Sequence, residues 1–87
     1  MKQLRVRPLQ RFTVVIEADE TGGYYAVCPT LPGCYSQGET LEDAKQNVRE
    51  AIQCHLESLL KDGEPLPVER EEFVGTVQVP TPTKHGR

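Results

Sequence analysis

The stretch Tyr24–Ala44, YYAVCPTLPGCYSQGETLEDA, decides the fold. It opens on a β-branched and aromatic run, breaks at Pro29, turns at Leu31-Pro32-Gly33-Cys34, runs extended again and ends at a helix start. Pro29 has no N–H to give a ladder, so a strand ends there. Leu-Pro-Gly-Cys fits a type II turn, with proline at the second place and glycine at the third, where φ is positive. GCYSQ then reads as a short strand. Thr40 is a good helix N-cap, Asp43 stands three residues on as a weakened capping box, and Glu42 and Asp43 suit the positive end of the helix dipole.

Working outward, RFTVVIEADE alternates Phe12, Val14, Ile16 and Ala18 with Thr13, Val15 and Glu17, which is strand period. The turn Ala18–Gly23 joins it to YYAVC as a hairpin over 12–28. On the other side, Leu41, Ala44, Val48, Ala51, Ile52, Leu56, Leu59 and Leu60 make one apolar helical stripe. Asp62-Gly63 ends that helix, and Pro65 and Pro67 prevent its resumption. EEFVGTVQV restores period two, with Phe73, Gly75, Val77 and Val79 on one side, and reads as a fourth strand. The expected fold is therefore α+β, in the order β-β-β-α-β: a four-stranded sheet with one main helix on one face. Residues 1–10 form a basic arm, 11–80 the domain and 81–87 a flexible tail. The sheet's other face is left open, with Val15, Val74 and Tyr24 or Tyr25 on it, which suggests self-association.

At 87 residues the chain is one domain with a small core. No apolar run approaches the roughly 20 residues of a membrane span. The basic N-terminus lacks the apolar stretch of a signal peptide, and three cysteines are an odd count, so reduced thiols in a cytoplasm are expected. Net charge is −3, unevenly spread. Lys2, Arg5, Arg7 and Arg11 crowd the start, while residues 12–44 carry Glu17, Asp19, Glu20, Glu39, Glu42 and Asp43 and no Lys or Arg. Such a block repels phosphate and suits a basic partner, or it is simply a solvated face.

Catalytic and metal chemistry find little support. Cys28 and Cys34 lack zinc or redox spacing, and Cys54 and His55 point about 100° apart on a helix. Ser36 and Ser58 have no evident base, and the carboxylates of a two-metal nuclease are missing. No metal, no cofactor and no catalytic residue is expected. The alternating KQLRVR resembles a DNA-reading strand but leads into Pro8 rather than a helix, so DNA binding is not expected; a weak phosphate-binding arm and a solvated terminus both stay open.

Taken together, Asp19 with Gly23 and Tyr24; Pro29, Leu31, Pro32, Gly33 and Cys34; Ser36, Gly38, Thr40, Asp43 and Ala44; and Gly63, Pro65 and Pro67 resemble the HicB family of small antitoxin-like proteins. The resemblance runs over about residues 11–80. Thr30 departs from it, standing where the family often has an acid. The resemblance implies a reduced RNase H-like fold without nuclease activity and a partner of the HicA kind, a small basic ribonuclease. It implies a short, single-domain member without the C-terminal DNA-binding domain that many of the family carry. Glu17, Asp19, Glu20, Glu39, Glu42 and Asp43 become the expected partner contacts, with Tyr24 or Tyr25 as aromatic anchors and a homo-oligomer, at least a dimer, as the assembly. The alternatives are a solitary self-assembling scaffold without a toxin and a degenerate nuclease-fold protein.

Overall fold

A computed structural model describes residues 9–84. Lys2, Arg5 and Arg7 of the basic arm, and His85 with the end of the tail, lie outside the described residues. Three strands and one helix follow in order: β1 Val15–Ala18, β2 Tyr24–Val27, β3 Tyr35–Gly38 and α1 Leu41–Lys61. The sheet is antiparallel in the order β1-β2-β3, with Ile16 opposite Ala26 and Ala26 opposite Ser36. The fold is α+β, as the periodicities require.

The helix forms where its signals stand. The Thr40 hydroxyl accepts from the Asp43 N–H at 3.0 Å. At the other end Asp62 is the C-cap and Gly63, at φ +73°, follows it. The Gly63 and Glu64 N–H groups return to the Leu60 and Leu59 carbonyls, a Schellman motif that satisfies two last-turn acceptors. Ala44, Val48 and Ile52 bury one stripe of α1 against the sheet, mainly against β3 and β2. Leu41 and Leu60, at the stripe's two ends, stay exposed because the sheet does not reach them.

The corner after β2 completes the core. The Leu31 N–H bonds to the Cys28 carbonyl at 3.0 Å, and the Cys34 N–H to the Leu31 carbonyl at 2.9 Å. Gly33 takes φ +83°, as the third place of a type II turn demands. The two turns drive Cys28, Leu31 and Cys34 inward, where they join Ala26, Ala44, Val48 and Ile52 as the buried cluster.

Two expectations are corrected. Residues 64–84 contain no strand, so the fourth strand read from EEFVGTVQV is not part of this sheet. Its alternation is real, but Phe73 is 89% exposed and Val77 87% exposed, because nothing among the described residues covers them or pairs with their backbone. The chain instead runs outward. The radius of gyration is 18.5 Å, against about 12 Å for a compact chain of this length. The second concerns the sheet's open face: Val74 is not on it, since it belongs to no strand, and of Tyr24 or Tyr25 it is Tyr25 that lies there, Tyr24 packing against the helix-side core. With strand period two, the open face belongs to Val15, Glu17, Tyr25, Val27, Tyr35 and Gln37.

Candidate functional site

Two glycines bring the hairpin tip, the end of β3 and the start of α1 together, backbone against backbone. A Cβ on Gly23 would stand 2.8 Å from the Gly38 carbonyl oxygen. One on Gly38 would stand 2.3 Å from the Ala44 nitrogen and 2.7 Å from the Asp43 Cβ. Only glycine permits that approach at Gly38. The hairpin tip is shaped by Asp19, whose carboxylate accepts from both the Thr21 N–H and the Thr21 hydroxyl at 3.2 Å. Its carbonyl accepts from the Gly22 N–H at 3.0 Å.

Around this junction Asp19, Thr21, Tyr24, Gln37 and Glu39 line an open depression of about 630 Å³. Glu20 is exposed in the same turn, and Glu42 and Asp43 are exposed in the first turn of α1. Five of the six expected acidic contacts thus share one end of the molecule, with Tyr24 as their half-buried aromatic neighbour. Glu17 and Tyr25 do not join them. They face each other across β1 and β2 on the open side of the sheet, where the Tyr25 hydroxyl donates to the Glu17 carboxylate at 2.6 Å. That bond, and the nearby negative charge, push the Tyr25 phenol above its ordinary value.

Among the described residues no group of three His, Cys, Asp or Glu side chains converges as a metal site. Cys28 and Cys34 are buried free thiols, and burial pushes both up, away from the reactive thiolate. The cysteine-bearing corner is architecture.

Two residues that hold the fold together were not singled out from the sequence. Asn47, in the middle of α1, donates to the Gln37 carbonyl at 2.7 Å and pins the helix to β3. A short amide mid-helix, where it is a poor helix former, was the available signal. Glu69 ties the chain beyond the helix back to the body. It accepts from the Thr13 N–H at 3.2 Å and the Thr30 hydroxyl at 3.1 Å. Burial pushes its carboxyl up, yet these bonds outweigh it and the net shift is downward. Its other oxygen is shut off from solvent, with no partner among the described residues. No local pattern marks Glu69.

Comparison with known proteins adds four findings. The family model described as the HicB-like antitoxin of bacterial toxin-antitoxin systems matches residues 12–81. A UPF0150 protein of Synechocystis sp. is 46% identical over 63 residues, covering 72% of this chain and 80% of that protein. Antitoxin HicB 1 of Photorhabdus laumondii is 33% identical over 58 residues, covering 67% of this chain and 37% of that protein. Among solved structures, the N-terminal domain of the Burkholderia pseudomallei antitoxin HicB is similar with a TM-score of 0.57 and 36% identity, over 76% of this chain and 72% of that one.

Proposed function

The chain belongs to the HicB-like antitoxin family of bacterial toxin-antitoxin systems, and from that premise we propose that it is a protein-binding antitoxin that neutralises a small basic toxin of the HicA ribonuclease kind. The observation that carries this reading is the gathering of Asp19, Glu20, Glu39, Glu42 and Asp43 at one end, around a depression with an aromatic wall. Residues 12–44 bring no Lys or Arg to neutralise them. A surface of one sign steers a partner of the other and repels RNA, so it suits capping a nuclease rather than acting as one. Tyr24 supplies the anchor and the acids supply the approach. Glu17 and Tyr25 stand to one side and make a second, peripheral contact. The same reading includes a cytoplasmic location, a sheet plan related to RNase H without its chemistry, and assembly into a homo-oligomer.

The test is association with the product of a short basic reading frame beside the gene. Attraction between exposed charges is screened as the Debye length falls from about 10 Å at 0.1 M salt to about 3 Å at 1 M. Binding is expected at micromolar concentration or tighter, with an on-rate that falls with salt. Glu20→Lys together with Glu39→Lys lowers that on-rate and leaves the melting curve in place, since both side chains are exposed. No association at micromolar concentration, or a charge-reversed variant that binds as fast as the parent at low salt, overturns the reading.

A further inference from the structure

One side of the helix is incompletely covered. Between the lead into β1 and α1 runs an open groove of about 900 Å³, which takes its walls from these two elements alone. Phe12, Val14 and Leu56 form half-buried walls, and Val48 and Ile52, both buried, form the floor. Among the described residues β1 beside it is an edge strand, paired only with β2. An edge with free N–H and C=O groups next to an apolar groove is a place for one more strand. The rim is basic, with Arg11, Lys45 and Arg49.

The same chain carries a segment with the matching properties and no place to put it. Phe73, Val77 and Val79 fall on one side of an extended run and are all exposed. Glu71 and Glu72 precede them, opposite in sign to the groove's rim. Prolines at 65, 67, 80 and 82 flank the run and hold the residues before them extended. Among the described residues the chain's ties to its own body end at Pro67, whose carbonyl accepts from the Gln10 amide at 3.0 Å, and Glu69. From there it leads away, and the molecule reaches 81 Å in its longest dimension.

We infer that residues 72–79 of a second copy of this chain lie as a strand along the free edge of β1, with Phe73, Val77 and Val79 seated in the groove between the β1 lead and α1. The exchange is reciprocal, so two copies close on one twofold axis and leave neither groove nor segment over. Two strands of eight residues, each about 26 Å long at ~3.3 Å per residue, are enough to pass the roughly 1,000 Å² that a stable interface buries. This inference rests on the self-association in the functional reading and not on the toxin, and the acidic end remains free in the pair.

Light scattering on the full chain at tens of micromolar tests it without any toxin. Twice the 9.8 kDa chain mass is expected. Val77→Asp should return the mass of one chain with the helical circular dichroism kept, while Val74→Asp, on the strand's other side, keeps the double mass. A cross-link decides between exchange and folding back. On a Cys54→Ser background, copies with Gln53→Cys are mixed with copies with Val77→Cys and treated with a short bismaleimide. A covalent pair joining the two kinds of copy is expected. The mass of one chain for the parent, a double mass that survives Val77→Asp, or a Gln53→Cys, Val77→Cys double variant that links only within itself overturns the exchange.

Discussion

Residues 12–18 and residues 73–79 carry nearly the same pattern, FTVVIEA and FVGTVQV, and end in different states. The first becomes β1, because a tight turn returns the chain as β2 and Ile16 finds Ala26 opposite it. The second stays extended and exposed, because the preceding helix delivers it past the body, and its last ties fall at Pro67 and Glu69. Alternation says which side of a segment could be buried. Whether it is buried depends on an edge within reach. A hairpin supplies that edge locally, whereas a strand after a long helix depends on where the helix leaves off.

The largest effect expected from a single change lies in the packed region. Leu31 is among the most completely buried large side chains and sits where the corner, the sheet and α1 meet. Leu31→Ala should cost about 2–5 kcal/mol, the transfer term plus a cavity. At roughly 4–8 °C per kcal/mol for a domain of this size, that lowers Tm by about eight degrees or more. Val74→Ala in the extended region should leave Tm where it is. Equal losses from the two substitutions would erase the contrast, and thermal melting of both variants decides it.

That contrast also marks what was legible beforehand. The hairpin, the Leu31–Cys34 turn and both ends of α1 could be read because each is settled by residues within four positions of one another: Pro32 and Gly33, Thr40 and Asp43, Asp62 and Gly63. The burial of Cys28 and Cys34 followed from the same turn. What could not be read depends on distant parts. Tyr24 faces the helix because of where α1 lands, and the hold of Glu69 on Thr13 and Thr30 spans 56 and 39 residues. The acidic block was visible as composition, but its concentration at one end required the backbone approach at Gly23 and Gly38.

The next effect is smaller and concerns the joint between the two regions. The folded Glu69 carboxyl is held below its ordinary value, whereas in the unfolded chain it titrates near the usual ~4.3. A depressed folded value gives stability that is present above the unfolded value and is lost as pH falls through the folded one. The parent should therefore lose Tm on acidification below about pH 4.3, and Glu69→Gln should show less of that loss. At neutral pH the Gln variant should also exchange the Thr13 amide hydrogen faster, since a neutral amide accepts that bond more weakly. An acid limb of the same depth in both proteins, with unchanged Thr13 exchange, would show that the two regions are not joined at this carboxylate.

The smallest effect is on the open face of the sheet, where neither region covers Glu17 and Tyr25. A phenol that donates to a carboxylate at 2.6 Å keeps its proton longer than one in water. The Tyr25 value is raised, so the stability it adds is complete below the unfolded value of about 10 and disappears as pH rises through the folded one. Ultraviolet titration of the phenolates reads this directly, since the chain has three tyrosines and no tryptophan. Glu17→Gln should bring one of the three transitions to lower pH and barely move Tm at pH 7, because the pair is solvated and its bond replaces one made to water. Tyr25→Phe should remove that same late transition. If the exchanged strand covers only the helix side of the sheet, both results should be the same for the parent chain and for its Val77→Asp variant. A Tyr25 transition that moves when Val77 is changed would place the second copy over the open face instead of in the groove.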